Sequence, residues 1–215
     1  MPWMWNPHKE YEGKHALMGA SNYHWTNDNE ESFERRFYSQ YATTIGTAIH
    51  ELAHDCIVSK IKLNKHDINL VKYILYKASV PRNAYDPQAI LENLVPFVND
   101  CIGFHMSSEI LLFYSPFCFG TSDAIGYFEK DKILRVFDYK NGIIAADMRQ
   151  LYIYCALFCL EYKVEPEKLT DIQCRIYQNQ EIIEDHPAAE VIRYYMDLIV
   201  KDNKLIYYIL EKNGR

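Results

Sequence analysis

Long apolar runs, closely paired cysteines and a basic surplus are all missing from this sequence. It has no stretch of 18 or more consecutive apolar residues, so a membrane-spanning helix is not expected. The first eight residues, Met-Pro-Trp-Met-Trp-Asn-Pro-His, lack a basic region followed by an apolar core, which argues against a secretory signal. The six cysteines form no Cys-x-x-Cys pair, which argues against a zinc ribbon or an iron–sulfur cluster. These absences favour a reducing, cytoplasmic setting.

The charge balance limits how the protein can contact nucleic acid. With 23 Lys and Arg against 29 Asp and Glu, the formal net charge is −6. A protein that coats nucleic acid without sequence preference needs a basic surplus, so that class is disfavoured. An enzyme that holds a few phosphates in one cleft is compatible with this charge, and acids gathered around a metal would add to the negative count.

The length and the hydrophobic patterns predict one domain of the α/β class. We assign 1–215 to a single domain, with an N-terminal arm and helix over 1–42, core motifs over 43–178 and a C-terminal helix over 187–212. The predicted element order is helices, three strands, a helix, a strand and a helix. This order predicts a central mixed β-sheet flanked by helices, with an N-terminal helical region.

The predicted elements have the following bounds. Helices are expected over about 31–41 with Asn27 or Asp28 as cap, from Thr43 or Thr44 onward, and over 67–79, 87–105 with a break or kink at Pro96, 146–161 and 188–210. Strands are expected over 108–114, 119–128, from Ile133 to about 140, and over 169–178.

A β-hairpin in the middle of the chain carries the first chemical signal. Two alternating runs rich in aromatic and β-branched residues are joined by the charged connection Glu129–Lys132. If that connection is the loop, Phe128 pairs with Ile133 and Asp123 lies directly opposite Asp138. Like charges placed so are destabilising, which suggests a cation between them. Alternatively, the hairpin is an edge of the sheet whose acids are simply solvated. A one-residue slip in the register would also separate the two acids.

Three further polar side chains follow the acid pair closely in sequence. Lys140 comes two residues after Asp138 and therefore points to the same face of the strand. In the helix predicted over 146–161, Gln150 and Tyr154 are four residues apart and share one face. Both can donate hydrogen bonds to a phosphate.

A second motif suggests a different enzyme. The segment His50-Glu51-Leu52-Ala53-His54 matches the H-E-x-x-H pattern of zinc metallopeptidases. Such enzymes need a third protein ligand. The positions three and six residues after the second histidine hold Ile57 and Lys60, and the nearest later glutamate is Glu92. The match is thus unsupported, and the histidines are alternatively ordinary part-buried helix residues.

Four motifs in order resemble a known nuclease family. Gly46-Thr-x-x-His50, Gly120-Thr-Ser-Asp123, Asp138-Tyr-Lys140 and Gln150-x-x-x-Tyr154 resemble the RecB-like branch of the PD-(D/E)XK nucleases, over about 43–178. The resemblance implies a restriction-endonuclease-like core. CRISPR-associated members carry cluster-forming cysteines that this chain lacks, so the phage-type exonucleases are closer and no iron–sulfur cluster is expected.

The resemblance implies a role for each matched residue. His50, Asp123, Asp138 and the backbone carbonyl of Tyr139 would bind Mg²⁺ or Mn²⁺. The catalytic residues would be Asp123, Asp138, Lys140 and Glu109, with Lys140 holding the attacking water or the scissile phosphate. A further acid on the preceding strand, Glu109, would orient the site. The pair that lines the DNA cleft would be Gln150 and Tyr154.

The expected function is divalent-metal-dependent hydrolysis of DNA. A hard cation is bound by carboxylate oxygens, lowers the pKa of water and neutralises charge at phosphorus, and an ammonium adds charge stabilisation. The resemblance implies a phage or mobile-element exonuclease of recombination or genome processing, which acts on single- or double-stranded DNA ends in the cytoplasm, that of the host if phage-encoded. A recombination protein or a second copy of the chain is the expected partner. The alternatives are the zinc metallopeptidase and a non-catalytic nucleic-acid-binding protein.

Overall fold

A mixed sheet of five strands forms the centre of the protein, in the spatial order β1-β2-β3-β4-β5. The computed structural model describes residues 6, 8, 9, 16–142 and 147–213. Neighbouring strands are antiparallel except for β3 and β4, which run parallel. The strands are β1 (Ser107–Ser115), β2 (Cys118–Phe128), β3 (Ile133–Tyr139), β4 (Asp171–Gln178) and β5 (Glu181–Asp185).

Helices cover both faces of the sheet, so the α/β class and the mixed, helix-flanked sheet are confirmed. On one face, α2 to α4 form a core with sheet residues Ala124, Phe137, Tyr139 and Tyr177. On the other face, α5 and α6 form a second core with the opposite sides of the same strands. The helices are α1 (Glu30–Ser39), α2 (Ala42–Val58), α3 (Ile68–Lys77), α4 (Pro87–Gly103), α5 (Arg149–Tyr162) and α6 (Ala189–Lys212).

The N-terminal helical region consists of a 3-10 helix over Ala20–Asn27 followed by α1. Within the described ranges, no helix is both long and apolar enough to cross a membrane.

The predicted hairpin register is correct. Phe128 pairs with Ile133, and the pairing continues without a shift to Ala124 and Phe137. The next pair in this register is Asp123 and Asp138, where the regular pairing of β2 and β3 ends. The hairpin thus brings the two acids to the point at which the strands begin to separate.

Helix ends differ from the predicted ones at several places. The cap of α1 is Asn29, whose side chain accepts a hydrogen bond from the Ser32 amide at 2.8 Å, and Asp28 instead forms an ion pair with Arg36. The prediction of Asn27 or Asp28 as the cap was wrong, because Asn27, Asp28 and Asn29 are adjacent and all three side chains can cap a helix.

Two other helix predictions need comment. The helix α4 runs through Pro96 without a break. The helix α5 begins at Arg149, and the predicted start at Ala146 lies outside the described residues.

One strand was not predicted. The strand β5 pairs antiparallel with β4 through a two-residue connection, Asn179 and Gln180, whose φ angles are 52° and 64°. Positive φ at both positions is the requirement of a tight type I′ hairpin turn, which usually contains glycine. Because Asn-Gln lacks a glycine, the turn gives little signal in the sequence.

Candidate metal centre and adjoining cleft

The site begins where β2 and β3 separate. The Tyr139 amide donates a hydrogen bond of 2.9 Å to Oδ2 of Asp123. The other carboxylate oxygen, Oδ1, lies 3.4 Å from Nδ1 of His50 on α2. The His50 ring meets the Tyr139 ring edge-on, with centroids 5.7 Å apart at 83°. The sheet and α2 together therefore fix the positions of the imidazole and the first carboxylate.

The strand β1 supplies a second carboxylate by an unusual backbone conformation. Glu109 has a φ of 55°, a left-handed value that is rare for residues other than glycine. Its Oε1 lies 4.0 Å from Nδ1 of His50. Backbone conformations of this kind cost free energy and occur mostly at functional sites. The strain is consistent with a requirement for this carboxylate in the site.

The conformation of Glu109 changes the face to which β1 directs its side chains. On one side of it, Ser108 pairs with Ala124 and contacts α2. On the other side, Ile110 packs against the core formed with α5. The register of β1 with β2 is the same on both sides, so no residue is inserted. The backbone turns at Glu109 instead, opposite Asp123.

His50, Glu109 and Asp123 form a group that fits a divalent cation. One potential ligand atom from each lies within 4.8 Å of the others, and this is the one such group of three or more in the described ranges. Two carboxylates suit hard cations such as Mg²⁺ and Mn²⁺, and the imidazole nitrogen favours Mn²⁺ over Mg²⁺. The resemblance also implies the Tyr139 carbonyl as a ligand, and the amide of the same residue contacts Asp123.

A row of hydrogen bonds runs from the second predicted acid to the helix α5. Lys140 Nζ donates to Asp138 Oδ1 at 3.1 Å and lies 2.9 Å from Oδ2. It also donates to Gln150 Oε1 at 3.0 Å, and Gln150 Nε2 donates to the hydroxyl of Tyr154 at 3.3 Å. Asp138 is buried, whereas about a third of the Lys140 side chain is exposed. The lysine therefore connects a buried acid to an open surface.

The electrostatics follow from burial of like charges. Burial raises the pKa of Asp123 and of Asp138, and for Asp138 the charge of Asp123 raises it further, while Lys140 acts in the opposite direction. Burial also lowers the pKa of His50, which keeps the ring in the neutral form that ligates metals. The metal-free site is thus under electrostatic strain that a cation would relieve.

A cleft of about 660 Å³ adjoins this row. Its walls include Lys140, Arg149, Gln150, Tyr154 and Phe119. A second cleft, of about 830 Å³, opens on the side of the three-residue group and includes the two histidines of α2. The acids lie between a region that can hold a cation and a region that can hold a larger ligand.

Gly120 has a steric role that sequence reasoning missed. A Cβ atom there would lie 3.0 Å from Cε1 of Tyr154, a tighter contact than most real Cβ atoms make, so the ring would have to shift slightly. The absence of a side chain at Gly120 lets the Tyr154 ring pack onto β2. This explains the glycine of the Gly-Thr-Ser-Asp stretch by close approach rather than by backbone conformation.

The two histidines of the His50–His54 motif have different surroundings. His54 Nδ1 is 2.8 Å from the hydroxyl of Ser108, whereas His50 contacts Asp123 and Glu109. His54 is not part of the three-residue group. In the described part of the chain, the motif therefore contributes one histidine to the group.

The predicted residues come together at one end of the sheet, but the acids contact different partners from the predicted ones. Asp138 contacts Lys140, while Glu109, predicted as an orienting acid, lies with His50 and Asp123. Sequence reasoning also missed Phe119 and Arg149, which line the cleft beside Lys140.

Comparisons with known proteins give little further information. No protein-family model matches this sequence, and no curated protein matches it. A solved structure titled "Crystal structure of SSO0001" is 15% identical and covers 73% of this chain and 85% of its own, with a TM-score of 0.30. That score is too low to support an assignment.

In chelator, Asp138→Asn should melt higher than the wild-type protein at about pH 8, because it removes a buried charge beside Asp123. The pKa of Asp138 is raised in the folded state, so the protonated carboxyl stabilises the fold fully below about pH 4. This stabilisation is lost as the pH rises through the pKa of Asp138 in the folded state. A gain on the order of 1 kcal/mol corresponds to roughly 2–4 °C. Thermal melts across this pH range would measure it, and Asp131→Asn in the exposed hairpin loop is the matched control.

Saturating Mn²⁺ or Mg²⁺ should raise the wild-type melting temperature by mass action and change that of Asp138→Asn much less. If both proteins respond equally to metal, and the variant melts lower in chelator, Asp123 and Asp138 do not share a cation.

Proposed function

We propose that this chain is a divalent-metal-dependent DNA nuclease that hydrolyses phosphodiester bonds, of the exonuclease type. One observation carries the proposal: a group of metal-ligating side chains and a hydrogen-bonded row of lysine, glutamine and tyrosine meet at one end of the sheet. The supporting resemblance further suggests a role in phage or mobile-element recombination or genome processing, in the cytoplasm.

The residues that would hold the metal are His50, Glu109 and Asp123, with Asp138 next to them and the Tyr139 carbonyl as the further ligand that the resemblance implies. Bound there, Mn²⁺ or Mg²⁺ would lower the pKa of water and neutralise charge that develops on the phosphate. The Tyr139 amide holds one oxygen of Asp123 and leaves the other directed at His50. That arrangement orients the carboxylate before any cation arrives.

Lys140 is the residue that we expect to act on the phosphate. An ammonium has three donors, and two of these contact Asp138 and Gln150. The third is available for the attacking water or for a phosphate oxygen. The contacts with Asp138 hold the lysine in place, so that its ammonium would stabilise the negative charge that develops on the phosphate.

Gln150 and Tyr154 would contact the sugar–phosphate backbone from the cleft wall. Phe119 lies in the same wall and stacks on Phe113, with ring centroids 6.3 Å apart at 24°. Both rings are about half exposed, so unpaired bases that leave the cleft could stack on them. The substrate we expect is therefore a DNA end with single-stranded character.

The contacts of His54 support this function over a zinc peptidase. An H-E-x-x-H enzyme directs both histidines at one zinc ion, whereas His54 is hydrogen-bonded to Ser108. A non-catalytic binding protein is the less favoured alternative, because the site has its lysine and an acid at every acid position.

Lys140→Ala should reduce metal-dependent cleavage by at least about a hundredfold, because the phosphate loses its charge-stabilising partner. The measurement is cleavage of end-labelled linear and covalently closed circular DNA with Mg²⁺, Mn²⁺ or chelator. Lys130→Ala, at the far end of the same hairpin, should retain wild-type activity. Cleavage by Lys140→Ala at the wild-type rate would contradict the proposal, and resistance of the circle would support an exonuclease.

His50 and Glu51 separate the two enzyme classes. In a nuclease, His50→Ala should lose metal affinity and cleavage, while Glu51→Gln should change neither much, because Glu51 lies outside the metal-ligating group. Metal content by mass spectrometry and cleavage rates provide the readouts. One zinc ion per purified chain, with peptide hydrolysis lost in Glu51→Gln, would reverse the assignment.

Tyr154→Phe and Gly120→Ala should weaken DNA binding several-fold while metal affinity stays near wild type. The first removes the hydroxyl that Gln150 contacts, and the second displaces the ring. Fluorescence anisotropy with labelled DNA and calorimetric metal titration measure the two quantities. Tyr162→Phe, exposed on the same helix, is the control. A large loss of metal affinity in either variant would assign Tyr154 to the metal instead.

A further inference from the structure

The C-terminal helix α6 has two apolar stripes, of which the fold uses one. The inner stripe packs into the core formed with α5 through Ile192, Met196 and Ile199, and the half-buried Ile206 and Leu210 continue it along the helix. The outer stripe consists of Val191, Tyr194, Leu198, Leu205 and Tyr208, with Lys201 in line. A surface helix that covers one core is normally polar on its outer face.

The outer stripe has the spacing of a coiled-coil seam. Its positions recur at alternating intervals of three and four residues from Val191 to Tyr208. Tyr194, Leu205 and Tyr208 are more than half exposed, and Leu198 is half-buried. Among the described residues, neither hydrophobic core includes a member of the outer stripe. Over 17 residue steps it is about 26 Å long.

We propose that two copies of this chain pair along the outer stripes of α6, antiparallel about a two-fold axis. This alignment places every stripe position opposite another. Val191 faces Tyr208 of the second copy, Tyr194 faces Leu205, and Leu198 faces Lys201. Because the axis relates the copies, each layer occurs twice, as in an isologous interface.

Charge pattern selects the antiparallel orientation. Asp197 and Lys204 flank the stripe, and the antiparallel alignment brings Asp197 of one copy beside Lys204 of the other, twice. Lys201 can extend its ammonium toward the same aspartate. A parallel pair would instead place Asp197 beside Asp202, a like-charge contact that disfavours it. The antiparallel alignment also brings two like charges together, Glu190 and Glu211. These lie at the exposed ends of the seam, where solvent screens their repulsion.

The size of the stripe sets the expected strength. Two helices in contact over this length bury on the order of 1,000 Å² in total, at the lower end for specific interfaces. Tyrosines are among the residues that contribute most to such contacts. We therefore expect a monomer–dimer equilibrium in the micromolar range rather than a permanent dimer.

Sedimentation equilibrium of the full chain over the micromolar range tests the interface. The wild-type protein should shift from the mass of one chain to that of two. Leu205→Glu should raise the dissociation constant at least about tenfold by placing a charge in the seam. Tyr76→Glu, at a more exposed aromatic of α3, should not change it. A wild-type monomer throughout, or a dimer indifferent to Leu205→Glu, would overturn the proposal.

Cysteine crosslinking tests the orientation without depending on one variant's folding. A mixture of Tyr194→Cys and Leu205→Cys chains should form a mixed disulfide well above the wild-type background, because these positions face each other. Leu205→Cys alone should crosslink poorly. Efficient self-crosslinking of Leu205→Cys, with no mixed product, would indicate parallel helices and overturn the antiparallel assignment. The melting temperature of each variant establishes that it is folded.

Discussion

Two carboxylates held together away from water are the constraint around which this structure is arranged. Asp123 and Asp138 meet at the last position of a hairpin register, and burial raises the pKa of both. Each neighbouring group compensates part of that cost. The Tyr139 amide donates a hydrogen bond to Asp123, and Lys140 contacts Asp138. A cation would complete this compensation, as the proposed function requires.

The hairpin register could be predicted because side chains in strands alternate strictly and the loop was marked by four charged residues. The placement of Lys140 and of the Gln150–Tyr154 pair followed from the same periodicities. The left-handed backbone of Glu109 could not be predicted, because nothing in a glutamate favours it and only the packing of β1 imposes it. The contact of Gly120 with Tyr154 depends on two elements far apart in sequence, so local patterns do not contain it.

No family model and no curated protein matches the sequence, so the proposed function is supported by the geometry of the site and by the resemblance of its four motifs. The geometry divides the site into two parts. The imidazole and two carboxylates on one side could hold a cation, and the ammonium on the other side lines a cleft with amide, hydroxyl and aromatic groups. A net charge of −6 fits a protein that binds DNA by a few such groups and not by a broad basic surface.

The two halves of the site belong to different hydrophobic cores. His50 comes from α2, in the core on one face of the sheet, while Gln150 and Tyr154 come from α5, which packs on the other face. Local opening of either core would separate the halves although the sheet between them remained intact. If the proposed function is right, partially unfolded forms of the chain would be unable to cut DNA, and the layered packing would restrict cleavage to fully folded molecules.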